Sequence, residues 1–113
     1  MNIDNSIAQM KKGVLEMCIL SIINEKEAYP SDIIQKLRLS ELIVVEGTLY
    51  PILTRLKNNG FLDYHWKESN AGPPRKYFTI TETGKQALIT LTSSWNQFVQ
   101  GVNQSLKIQT EHE

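Results

Sequence analysis

Cysteine occurs once in the 113-residue chain, as Cys18. No internal disulfide can form, which excludes a small secreted fold built on disulfides. A long apolar run is missing too. The most apolar stretch, Val14 to Ile23, has about half the ~20 residues of a membrane span and contains Glu16. The two histidines, His65 and His112, stand far apart. No Cys, His, Asp or Glu spacing suggests a metal centre. There is no glycine-rich phosphate loop, nucleophile elbow or convergent acid–base set. Neither a cofactor nor catalysis is expected. Net charge is also absent, with 12 Lys and Arg against 12 Asp and Glu. That argues against a generic polyanion binder but leaves local patches open. Nothing near the N-terminus reads as a secretory signal. The expectation is a soluble cytoplasmic protein with no membrane role.

What is present is ordinary globular composition, 41% hydrophobic and 21% charged, at the size of one domain. Five segments follow one another. From about Ser6 to Asn24, Ile7, Met10, Val14, Leu15, Met17, Cys18, Ile19, Leu20, Ile22 and Ile23 start at helical spacing and then fill most of the circumference. Such a helix needs cover on more than one side, and in so short a chain a second subunit is one source of it. Asn24 to Tyr29 reads as a polar turn. Pro30 suits the first position of a second helix, where its missing N–H costs nothing. Ser31 and Asp32 suit its first turn, and Ile33, Ile34 and Leu37 form its stripe. Leu42 to Val45 is β-branched and short, an extended bridge.

The third segment is the most informative. Leu49, Ile52, Leu53 and Leu56 fall at i, i+3, i+4 and i+7, and Gly60 stops the helix. Pro51 is tolerable if the helix starts near Val45 or Glu46. The opposite face carries Thr48, Tyr50, Thr54, Arg55, Lys57 and Asn58. A β-hairpin follows: Phe61, Leu62, Tyr64 and Trp66 open it, and Tyr77, Phe78 and Ile80 close it. Glu68 to Pro74 supplies turn chemistry between them. The fifth segment is a long helix from about Glu82 to Lys107, with Thr81 as N-cap. Leu88, Leu91, Trp95, Phe98, Val102 and Leu106 approach coiled-coil spacing and mark a dimerisation seam.

The order helix, helix, helix, hairpin, helix is that of a winged helix-turn-helix plus a long C-terminal helix, mainly α with a small β-hairpin. Residues 1–80 are the expected DNA-binding domain, 81–107 the dimerisation helix and 108–113 a flexible tail. Charge follows this division. Residues 48 to 85 hold six cations, Arg55, Lys57, Lys67, Arg75, Lys76 and Lys85, against Asp63, Glu68 and Glu82. Basic charge therefore gathers where a recognition helix and a wing would meet phosphate.

Gly47-Thr48-Leu49-Tyr50-Pro51, followed by Leu53, Arg55-Leu56 and Gly60, resembles the recognition-helix signature of PadR-type regulators. Gly72-Pro73-Pro74-Arg75-Lys76-Tyr77-Phe78, followed by Thr81-Glu82-Thr83-Gly84, resembles their wing and the entry to their last helix. The likeness runs from about Lys12 to Trp95 and fits the short subgroup with a single C-terminal helix. It implies a dimeric repressor of transcription, acting on double-stranded DNA and responsive to a small apolar or aromatic effector. It also implies that Trp95 lines a cavity between subunits, together with Phe98 and with Met10, Met17 and Ser21 of the first helix. A plain packed seam is the competing reading of Trp95.

The candidate DNA-binding residues are Ser31, Thr48, Tyr50, Pro51, Thr54, Arg55, Lys57, Arg75 and Lys76. Each has a plainer alternative. Tyr50 can cap the packing between helix and wing, and threonines are ordinary on a helix surface. Ser31 can be a helix cap rather than a phosphate ligand. Arg75 and Lys76 alternate sides along a strand, and Arg75, just past the tip, is the better placed. Cys18 reads as a small buried hydrophobe. A protein-interaction module, or a ligand-binding scaffold or minor enzyme using the central seam, are the other function classes. The scarcity of carboxylates on the polar face of the third segment speaks against the interaction module.

Overall fold

The computed structural model describes residues 2–106. The expected tail at 108–113, and Lys107 at the end of the last helix, lie outside the described residues. Helices α1 (Ile3–Glu25), α2 (Pro30–Leu39) and α3 (Glu46–Asn58) precede strands β1 (Leu62–Ser69) and β2 (Gly72–Ile80), and α4 (Glu82–Leu106) ends the chain. One core joins Leu15, Ile19, Leu20 and Ile23 of α1 to Ile33 and Leu37 of α2. The α3 quartet, Leu62, Phe78, Ala28 and Val44 complete it. All four α3 residues named from spacing are buried.

Helix α1 starts three residues earlier than its apolar pattern suggests. Asn2 caps it, its Oδ1 accepting from the Asn5 amide at 3.0 Å. Helices α2 and α3 end the same way. Leu42 donates its N–H to the Leu37 carbonyl, and Phe61 donates to that of Leu56. These six-to-one bonds need a left-handed residue between. Gly60 supplies it at φ 83°, whereas Glu41 adopts φ 62° despite its side chain.

Pro51 lies deeper in α3 than a helix start near Glu46 can excuse. It is the sixth helical residue, beyond the first turn whose amides lack acceptors. Its ring leaves the Gly47 carbonyl without an i+4 donor. Gly47 is exposed.

The hairpin corrects two expectations. Its turn is only Asn70–Ala71, and Gly72-Pro73-Pro74 belong to β2. Register explains how prolines fit there. Lys67 pairs with Arg75 and Ser69 with Gly72, so two prolines oppose Glu68 alone. This is a bulge, where a ladder donor is not required. The stretch before Pro30 is more than a polar turn. Ala28 is buried and forms an antiparallel bridge with Phe78, exchanging both backbone hydrogen bonds at 3.1 and 2.8 Å. This bridge ties the wing to the start of α2.

Entry to α4 is tightly built. The Thr81 hydroxyl accepts from the Gly84 amide at 2.9 Å and donates to the Gly60 carbonyl at 2.7 Å. Gly84 is buried, and a Cβ there would lie 2.2 Å from the Phe61 carbonyl oxygen. Glycine is needed for this close approach. Beyond Leu88 the helix carries a row of exposed apolar residues, Leu91, Trp95, Phe98, Val102 and Leu106. Leu88 itself packs against the core and is not part of that open row.

Candidate nucleic-acid interface

Helix α3 and the wing enclose a groove. Period-two alternation puts Tyr64, Trp66, Lys76 and Phe78 on one face of the hairpin, because Tyr64 pairs with Phe78 and Trp66 with Lys76. Phe78 is anchored in the core, so this face turns toward α3. A depression of about 490 Å³ is lined by Tyr29, Pro30 and Ser31, by Glu46 and Tyr50, and by Trp66, Pro74, Arg75 and Lys76. A neighbouring hollow of about 200 Å³ continues along α3 past Tyr50, Thr54 and Lys57 to Tyr64 and Lys76.

Cations on this surface are held by aromatic rings. Lys76 Nζ lies 4.0 Å from the centre of the Tyr64 ring, with Trp66 and Phe78 just under 6 Å away. Lys57 Nζ stands 5.6 Å from the same tyrosine. The Arg75 guanidinium lies 4.6 Å from the Tyr29 ring. An aromatic face orients a cation without neutralising it. These three charges remain available to an anion.

Four other cations are paired with carboxylates: Lys36 with Glu25, Arg55 with Glu16, Lys67 with Glu27 and Lys85 with Glu82. Lys67 bonds Glu27, which also faces His65 Nε2 at 3.3 Å. The hydrogen bond from Lys67, with the Lys67 and His65 charges behind it, holds the Glu27 carboxyl below the usual carboxylate range against the opposing pull of desolvation. The same bond raises Lys67. Arg55 Nε donates to Glu16 Oε2 of α1 at 2.7 Å.

The site residues expected from sequence therefore separate. Tyr50, Thr54, Lys57, Arg75, Lys76 and Ser31 border the groove. Both wing cations do so, and Lys76 is the more central, contrary to the preference for Arg75. Thr48 and Pro51 are exposed on α3 outside the groove lining. Arg55 is half exposed but turned to α1. On a 100° helical projection it sits on the flank away from Tyr50 and Lys57. Trp66, 62% exposed, is a groove residue that sequence reading treated only as part of the hairpin. Its strand parity with Tyr64, and Lys76 opposite, were the available signals.

The candidate ligand residues separate as well. A groove of about 230 Å³ between α1 and α4 is lined by Gly13, Val14, Glu16, Met17, Leu91, Ser94, Trp95 and Phe98. It unites Met17, Trp95 and Phe98. Ser21 lines a different hollow, beside Cys18 and α2, because it stands one helical turn beyond Met17 along α1. Met10 is exposed and outside either lining. Burial pushes the Cys18 thiol up, away from reactive thiolate. Among the described residues no three His, Cys, Asp or Glu could share a metal ion, and no helix is long and apolar enough to cross a membrane.

Residues 19–90 match the model of the transcriptional regulator PadR-like family. The chain belongs to this family. A PadR-like transcription factor from Bacteroides fragilis is 53% identical, with a TM-score of 0.74 over 88% of this chain and 97% of that one. A PadR-like transcriptional regulator from Bacillus cereus is 38% identical, at a TM-score of 0.77 over 87% and 96%. A PadR family regulator from Eggerthella lenta is 27% identical and superimposes at 0.85 over 92% and 91%. The winged-helix architecture is thus that of PadR structures, and the chain is a DNA-binding transcriptional regulator, not an enzyme.

Proposed function

We propose that this PadR-like regulator is a cytoplasmic, sequence-specific repressor that binds operator DNA as a homodimer and responds to a small apolar or aromatic effector. The observation that carries the reading is the groove between α3 and the wing. Three cations there are oriented by aromatic rings and left without a carboxylate partner among the described residues. Helix α3 enters a major groove with Tyr50, Thr54 and Lys57 leading. Thr48 and Pro51 sit beside them, and Ser31 meets phosphate at the start of α2. Arg75 and Lys76 hold the adjoining backbone. Arg55 serves the seating of α3 against α1.

Residues 1–80 act as the DNA-binding unit, with α1 shared with the partner, and α4 as the dimerisation helix. Pairing the open rows of two α4 helices fixes the distance between two α3 helices. A symmetric dimer then reads a pseudo-palindrome. An effector lodged at Trp95 and Phe98 shifts the dimer between geometries in proportion to its preference for one of them. Electrophoretic titration against its own promoter duplex at two salt concentrations tests the reading. Binding that weakens steeply with salt, and that Tyr50→Ala reduces while circular dichroism stays unchanged, is the expected result. Salt-independent binding, or none at low salt, contradicts it.

A further inference from the structure

Tyr64 of β1 faces two cations that come from different elements. Lys57 Nζ of α3 stands 5.6 Å from its ring centre, and Lys76 Nζ of β2 stands 4.0 Å from it. Among the described residues no other ring faces cations from two elements. Tyr29 faces Arg75, Tyr77 faces Lys67, and Trp66 and Phe78 face Lys76. The Tyr64 ring is itself held. Its centre lies 5.9 Å from that of the buried Phe78, and Trp66 meets it edge-on at 6.4 Å. Tyr64, Lys57 and Lys76 line one hollow with Tyr50 and Thr54 of the recognition helix.

We propose that Tyr64 is a positioning residue for DNA binding, whose ring sets Lys57 of the recognition helix and Lys76 of the wing as one unit before the duplex arrives. A lysine has a long flexible stem, and ordering it during binding costs affinity. Over an aromatic face it keeps its charge but has lost part of that freedom beforehand. The two ammonium groups also repel each other, and attraction to one ring opposes their separation. The spacing between a charge on the helix and a charge on the wing is thus set by a side chain that need not touch DNA. The proposal rests on the reading of the α3–wing groove as the DNA interface. It adds the residue that links the two halves of that interface.

Two partly exposed cation–ring contacts together correspond to about fivefold to thirtyfold in affinity. Tyr64→Leu removes the aromatic face and keeps an apolar side chain, whereas Tyr64→Phe keeps the face and removes only the hydroxyl.

The test is filter binding to the promoter duplex at low salt, with each variant checked for fold by circular dichroism. Tyr64→Leu should bind about fivefold to thirtyfold more weakly than wild type, and Tyr64→Phe should bind within about twofold of it. In a Lys57→Gln, Lys76→Gln background, Tyr64→Leu should cost less than about twofold, because the ring has nothing left to position. Proton NMR of the DNA-free protein gives a second reading. The ε-methylene protons of both lysines should lie upfield in wild type and Tyr64→Phe, and move downfield together in Tyr64→Leu. A Tyr64→Leu loss that persists without the lysines assigns Tyr64 a direct contact or a purely structural role and overturns the proposal. A Tyr64→Phe loss equal to that of Tyr64→Leu overturns it in favour of the hydroxyl. Lysine protons unmoved by Tyr64→Leu overturn it whatever the DNA titration gives. Wild type that binds no duplex, with the lysine shifts as expected, overturns the interface reading and the proposal with it.

Discussion

Helices α3 and α4 carry apolar residues at nearly the same spacing, yet their fates differ. In α3, Leu49, Ile52, Leu53 and Leu56 are at most 6% exposed. In α4, Leu91, Trp95, Phe98, Val102 and Leu106 are 38 to 67% exposed. The first row is covered by this chain's own α1, α2 and wing. The second has no such cover among the described residues, apart from the stretch of α1 beside Trp95. Periodicity states that a face needs burial, not what buries it. The polar faces differ in turn. That of α3 borders a groove with three oriented cations, whereas α4 offers no comparable cluster.

The sharpest way to break this comparison is to remove one residue from each row. Leu53→Ala opens a cavity in a closed core and should cost about 2–5 kcal/mol. Thermal unfolding should show the loss at every protein concentration. Gly84→Ala strikes the anchored start of α4 and should cost about 1–3 kcal/mol through overlap with the Phe61 carbonyl. Phe98→Asp should leave far-ultraviolet dichroism intact and raise the dimer dissociation constant at least about tenfold, or about 1.4 kcal/mol. Sedimentation equilibrium reads that shift. A loss of secondary structure in Phe98→Asp would mean that the α4 row supports the monomer after all.

The charged faces sharpen the contrast on a smaller scale. Lys76→Ala should weaken binding to all duplexes alike and reduce the salt slope by about one. Nitrocellulose filter binding across a salt series measures this. Glu27→Gln should have the smallest effect. The Glu27 carboxyl is held down in the folded protein, so its contribution is present above the ordinary glutamate range and fades as pH falls through the lowered value. Wild type should lose slightly more stability than Glu27→Gln in that acidic window, seen by denaturant midpoints. Equal pH profiles would remove the Lys67–Glu27 link from the account.

Local chemistry explains what could be read in advance. The α3 face, the Gly60 stop, the Thr81 cap and the Pro30 start each depend on residues close in sequence, and all four appear in the structure. What escaped notice depends on partners far along the chain. Arg55 looked like a free cation because Glu16 is 39 residues away. Ala28 looked like part of a turn because its strand partner, Phe78, lies far along the chain. The prolines of β2 looked like turn residues until the register placed them at a bulge. Ser21 and Met17 share one side of α1 but stand a turn apart and line different hollows, a matter of which elements pack at each level.

One quantity joins both halves of the comparison: the mass of the complex formed with a promoter duplex, measured by sedimentation at low salt. Two chains on one duplex are predicted, with the α4 rows paired and both α3 grooves occupied. A complex holding a single chain, or free duplex beside intact protein, would contradict the account.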